Sequence, residues 1–113
     1  MKKDDRILVV SEYISQAAIL DQCAEECTEL AKACLKLARY LRNENPVSPS
    51  LTVDSLLAEL NGEIGDVLNS IEVIKADEDL FISEEYVNNI REYKKNRLIE
   101  RIKNKILNDK EKN

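Results

Sequence analysis

Apolar residues recur at steps of three and four along two long stretches of this chain. The first runs Leu20, Cys23, Cys27, Leu30, Cys34, Leu37 and Leu41. The second runs Val53, Leu57, Leu60, Ile64, Val67, Ile71 and Ile74. That spacing is the seam of an amphipathic helix packed in a bundle. Ser15 is placed to cap the first of these helices, which is predicted to reach about Arg42. Asn43 to about Thr52 breaks the pattern, because Pro46 and Pro49 exclude continuous helix and mark a loop. Thr52 is placed to cap the second, which is predicted to end near Lys75. Two flanking segments complete the pattern. Asp4 to about Ile14, with Ile7, Val10 and Ile14 on one side, reads as a short helix. Ser83, followed by Glu84 and Glu85, opens a last helix whose apolar line is Val87, Ile90, Leu98, Ile102 and Ile106. The polar tail, residues 103–113, is predicted to fray. The fold class is therefore all-α: one domain spanning 1–113, a four-helix-bundle-like subunit.

Composition narrows this further. With 113 residues the core is small, so association between copies is expected. A net charge of −5 argues against a nucleic-acid-binding surface. No run of 18 apolar residues exists, so no membrane span is expected. The opening Met1-Lys2-Lys3-Asp4-Asp5 does not read as a signal peptide. Cys23, Cys27 and Cys34 all fall on the seam of one helix. An odd count there reads as reduced, buried thiols in a cytoplasmic protein and not as a disulfide framework. The chain has no His. A thiolate metal site built on Cys23 and Cys27 stays open as the minor alternative but has no His to complete it, and the Glu-x-x-His pairs of a di-iron bundle are excluded.

The chemistry lies in two acidic pairs. Glu26 and Glu29 stand three residues apart on the first long helix; Glu63 and Asp66 do so on the second. Residues i and i+3 are neighbours on a helix surface. Each acid precedes a seam residue by one position, so the pairs are predicted on the shoulder of the seam. If the two helices pack, four carboxylates converge. Unneutralised, they raise one another's pKa. A hard divalent cation with oxygen ligands, Mg²⁺ or Mn²⁺, relieves that repulsion. The bland alternative is that a 35% charged chain places acids at this spacing by chance. Gly62 and Gly65 flank Glu63 inside the helix, where Gly costs up to about 1 kcal/mol relative to Ala; they read either as a close approach by backbone or ligand or as tolerated chance. The run Lys94-Lys95-Asn96-Arg97 reads as a solvated face or as a clamp for phosphate oxygens. Ala17, Ala24, Ala31 and Ala38 recur every seven residues, which admits the close approach of another helix or reflects helix propensity alone.

Glu25-Glu26-Cys27-Thr28-Glu29-Leu30 resembles the E-E-x-x-E-L signature of the MazG-like all-α nucleoside triphosphate pyrophosphohydrolases. Glu63-Ile64-Gly65-Asp66-Val67-Leu68 resembles their E-x-x-D signature, and Lys95-Asn96-Arg97 is similar to their K-N-R stretch. The resemblance covers about residues 16 to 101. The stretch between Glu29 and Glu63 is longer than the family's usual spacing, and the chain has no Trp on which to stack a base. The resemblance implies Mg²⁺-dependent cleavage of a nucleotide between its α- and β-phosphates, by a homodimer or homotetramer. It implies Glu26, Glu29, Glu63 and Asp66 as metal ligands and Lys95, Asn96 and Arg97 as substrate-binding residues. Glu59, one turn before Glu63, is the candidate to orient the attacking water. Tyr13 and Gln16 are the candidates for the base. A phosphoribosyl-ATP pyrophosphohydrolase-like enzyme and a non-catalytic helical homodimer are the rival readings.

Overall fold

The computed structural model describes residues 4–44 and 51–112. These form four helices and, among the described residues, no strand: α1 (Asp5–Tyr13), α2 (Gln16–Leu41), α3 (Val53–Ala76) and α4 (Glu84–Glu111). Pro46 and Pro49, on which the loop expectation rests, lie outside the described residues.

The caps explain the boundaries. The Asp4 carboxylate accepts from the Arg6 N–H and opens α1; Ser15 and Ser83 cap α2 and α4 in the same way. Thr52 and Ser55 form a reciprocal capping box on α3. α2 ends in a Schellman motif. Asn43 takes a positive φ of 56°, its N–H reaches the Tyr40 carbonyl, and the Glu44 N–H reaches the Arg39 carbonyl. Between α3 and α4 the Asp77 carboxylate accepts from the N–H groups of Asp79 and Leu80, which turns the chain.

The chain divides into two compact units, Met1–Phe81 and Ile82–Asn113. In the first, α3 is central: α2 packs along it and α1 packs beside it. Three contacts show that α2 and α3 run antiparallel. Gln16 donates to Asp77, Glu26 meets Glu63 and Asp66, and Lys36 bonds Glu59.

The packed stripes differ from the expected seams. On α2 the inward residues are Ile19, Cys23, Glu26, Leu30, Ala33 and Leu37; on α3 they are Leu56, Leu60, Glu63, Val67, Ser70 and Ile74. Leu56 is the largest fully buried side chain, 1% exposed. The spacing is still three and four, but the stripe shares only part of the apolar set. Leu20, Cys27, Cys34 and Leu41 are exposed, and so are Leu57, Ile64 and Ile71. Each long helix carries more apolar surface than one neighbour can cover, and the sequence does not say which part the neighbour takes. The expectation of buried cysteines is corrected accordingly: Cys23 is half-buried, while Cys27 and Cys34 are exposed thiols.

The second unit is the single helix α4. Where residues 103–113 are predicted to fray, it stays helical to Glu111. No Gly or Pro interrupts that stretch, and i,i+3 pairs such as Lys95–Glu92 and Lys103–Glu100 lie along it. No described helix is long and apolar enough to cross a membrane.

Candidate metal centre

Midway along the α2–α3 seam the apolar packing gives way to acid. Glu26 and Glu63 occupy positions of the packed stripes themselves, half-buried and facing each other, not the shoulder positions the spacing predicts. Asp66, one residue before Val67, stands on the shoulder and is exposed. One carboxylate oxygen from each of Glu26, Glu63 and Asp66 lies within 4.8 Å of the others.

Two oxygens each about 2.1 Å from a Mg²⁺ ion are at most about 4.2 Å apart. Small side-chain rotations would bring the three into that range. The donor set is all oxygen, which suits a hard cation. Within this unit, among the described residues, no lysine or arginine pairs with Glu26, Glu63 or Asp66. Partial burial raises the Glu63 carboxyl above the ordinary range, and the nearby charges of Asp66, Glu26, Glu29 and Glu59 add to it in that order.

Glu29 and Glu59 lie close enough to act on Glu63 but each is engaged elsewhere. The Lys32 ammonium donates to Glu29 at 3.3 Å. The Lys36 ammonium donates to both Glu59 oxygens at 3.0 and 3.2 Å, bridging α2 to α3. The structure thus brings together three of the four expected ligands. Glu29 and Glu59 join them only if their lysines let go.

A cleft of about 460 Å³ opens beside the acids, with α1, α2 and α3 as its walls. Its polar lining includes Gln22, Glu26, Asp66 and Asn69, with Ile7 and Val10 of α1 as apolar lining. Gln22 donates to Glu26 at 2.6 Å and so orients it. Neither Gln22 nor Asn69 was marked by the acidic pattern. Their signal is positional: Gln22 is one turn before Glu26, and Asn69 is three residues after Asp66. At the mouth, Arg6 pairs with Asp4 at 2.6 Å and holds its carboxyl at about 2. Of the proposed base contacts, Tyr13 is 83% exposed, Gln16 donates to Asp77, and neither lines the cleft. Lys95 and Arg97 belong to α4, where Lys95 bonds Glu92 and Arg97 lies over the Tyr93 ring at 5.9 Å. Gly62 and Gly65 are exposed, and a Cβ at either meets open space.

The chain matches no protein-family model, no curated protein and no solved structure.

Proposed function

We propose that this protein is a Mg²⁺-dependent nucleotide pyrophosphohydrolase that splits a nucleoside triphosphate into a monophosphate and pyrophosphate. The observation that carries the reading is the convergence of Glu26, Glu63 and Asp66 from two helices on one spot, with no lysine or arginine of the described unit paired to them. Carboxylates so placed destabilise the fold unless something neutralises them. The resemblance of the two acidic motifs to the MazG-like family supplies the reaction.

Glu26, Glu63 and Asp66 would hold the ion, with Glu29 joining if it releases Lys32. Mn²⁺ is an alternative occupant. The bound ion would supply charge neutralisation for the phosphate oxygens. Gln22 fixes the orientation of Glu26. The cleft beside Glu26 and Asp66 receives the nucleoside, and Gln22 and Asn69 offer it hydrogen bonds. Glu59, released from Lys36, orients the attacking water; its place one turn before Glu63 supports this role. Lys95, Asn96 and Arg97 bind phosphate in this reading on the strength of the family resemblance. The three free cysteines fit a cytoplasmic protein.

A panel of nucleoside triphosphates plus phosphoribosyl-ATP, incubated with Mg²⁺ and scored for pyrophosphate, tests the reaction. Release on one or more members, lost in EDTA, is expected. A flat panel that includes Mn²⁺ sinks the enzymatic reading. The second reading, a non-catalytic helical partner, is favoured by one observation: α2 and α3 expose a broad apolar face away from the acids. It requires no response to metal.

A further inference from the structure

The cleft beside the acids also has Arg6, Asp4 and Glu72 in its lining. From Asp66 to Glu72 helix α3 rises about 9 Å, with Asn69 midway. Among the described residues Arg6 is the only lysine or arginine of that lining. Its side chain is 89% exposed yet held in place. Arg6 Nε donates to one Asp4 oxygen at 3.0 Å and Nη2 to the other at 2.6 Å. Asp4 is itself fixed as the N-cap of α1, accepting from the Arg6 backbone N–H at 2.9 Å. Asp4 thus occupies the Nε–Nη2 edge of the guanidinium. The second edge, formed by Nη1 and Nη2, makes no bond among the described residues. Such an edge carries two parallel N–H groups and binds two acceptors side by side.

Two kinds of group offer that pair: the oxygens of a phosphate, and O6 and N7 of a 6-oxopurine. Charge decides between them. Asp4 most, and Glu72 after it, raise the guanidinium above its ordinary range, so both carboxylates stand near it. A phosphate on Arg6 would meet their like charge, whereas the edge of a neutral base does not. The bases then differ in what they present. Guanine sets the acceptors O6 and N7 beside the donors N1–H and N2–H, one pair for a guanidinium and one for a carboxylate. Adenine puts an amino donor where Arg6 needs an acceptor. Cytosine has an acceptor pair but a single amino group, and the N3–H of uracil separates its two carbonyls. Ile7, Val10 and Val73 supply aliphatic lining for the faces of a ring.

We propose that Arg6, braced by Asp4, selects a guanine nucleotide: its free edge donates to O6 and N7 of the base, and Glu72 accepts from N1–H and N2–H of the same ring. This rests on the nucleotide pyrophosphohydrolase proposed above and adds which base it takes. Asp4 is a positioning residue, acting only through Arg6.

Calorimetric titration of the full chain with GMP, AMP, CMP and UMP in Mg²⁺ reads the base site apart from the chemistry, and pyrophosphate released from the four triphosphates reads turnover. GMP is expected to bind at least about 5-fold tighter than the others, the lower end of what one bidentate base contact contributes. GTP is expected to have the highest kcat/KM. Arg6→Gln is expected to keep its helical circular dichroism and to lose the preference through KM, with kcat little changed. Arg6→Lys keeps the charge without the fork and is expected not to restore it. Asp4→Asn remains a good cap but has one acceptor oxygen in place of two; it is expected to weaken GMP and leave AMP unchanged. The GMP analogue with carbon in place of N7 is expected to bind no better than AMP. Equal weakening of all four monophosphates in Arg6→Gln would show that Arg6 holds phosphate and overturns the proposal. So does turnover without base preference, which leaves the pyrophosphohydrolase standing, and so does a failure to bind any of the four. Selective GMP binding that Arg6→Gln abolishes, with no pyrophosphate from any triphosphate, upholds the base site and sinks the hydrolase instead.

Discussion

The two faces of the α2–α3 pair are made from the same helices at the same register, yet they are opposites. One residue before each packed stripe the chain places Glu29, Lys36, Glu59 and Asp66; one residue after, it places Leu, Ala, Cys and Ile. A rotation of about 100° per residue converts that one-position difference into a polar face and an apolar one. The polar face is partly self-satisfied, through Lys36–Glu59 and Lys32–Glu29, and its Asp66 joins Glu26 and Glu63 of the seam in one acidic cluster. The other face carries Asn61, whose amide donates to the Leu57 carbonyl, and Lys75 at its end, and is otherwise apolar. The two faces therefore differ in what can bind them: the acids suit a cation, the hydrocarbon an apolar surface.

Substitutions on the two faces should therefore fail differently. The largest effect is expected at Asp66. Asp66→Asn should cut pyrophosphate release at least about 100-fold, since even groups that merely support a metal ligand cost about 10- to 100-fold when lost. The same variant should unfold no more easily than wild type in EDTA. Wild-type turnover in Asp66→Asn would remove it from the site.

Next is the seam that both faces share. Leu56→Ala deletes a side chain 1% exposed and should destabilise the chain by about 2–5 kcal/mol in urea unfolding, whatever the protein concentration. Leu68→Ala on the apolar face removes a side chain already 60% exposed and should cost about 0.5 kcal/mol or less. Equal losses at the two positions would erase the distinction between seam and face.

A smaller effect separates proton from metal at the acid site. The folded-state pKa of Glu63 is raised, so its proton binds more tightly in the folded chain than in the unfolded one. Its ionisation costs stability as pH rises from the unfolded value of 4.5 through the folded one, and the cost persists above. Asp4 acts in the opposite sense: its contribution is present above 3.8 and lost as pH falls through about 2. Mg²⁺ competes with the Glu63 proton. The rise in Tm on adding Mg²⁺ should thus grow as pH climbs above 4.5 and then level off. A response independent of pH across that window would detach Glu63 from the metal.

The smallest effect concerns Gly65, which is helical, exposed and surrounded by open space. Gly65→Ala should stabilise the chain by about 0.5–1 kcal/mol through helix propensity alone. A loss of stability would reveal a neighbour at that position.

Much of this was legible in the residues. Ser15, Thr52 and Ser83 announce their helices because capping is local chemistry, carried by one side chain and the next turn. The two acidic pairs were visible for the same reason, as i,i+3 spacing does not depend on what packs where. The rotation of the seam was not legible. Cys23, Leu30 and Leu37 belong to both the expected and the observed stripe, so periodicity alone could not choose between Ile19–Glu26–Ala33 and Leu20–Cys27–Cys34. That choice is made by α3, and it moved Glu26 and Glu63 from the shoulder into the seam. Nor could spacing show that Glu29 and Glu59 would meet Lys32 and Lys36. The first pairing is local but one of several open to a surface Glu; the second depends on the antiparallel register. The helix beyond Lys103 departs from the fraying that its polar composition suggests, because Lys, Leu and Glu without Gly or Pro sustain a helix well.

The central claim is that Glu26, Glu63 and Asp66 converge to hold a divalent cation. Melting temperatures of wild type and Glu63→Gln at neutral pH, each with EDTA and with Mg²⁺, test it most directly. The account predicts that Glu63→Gln melts at the same or a higher temperature than wild type in EDTA, because one of three crowded carboxylates is neutralised, and that it loses most of the Mg²⁺ response. A variant that melts several degrees lower in EDTA yet keeps the full Mg²⁺ response would contradict it.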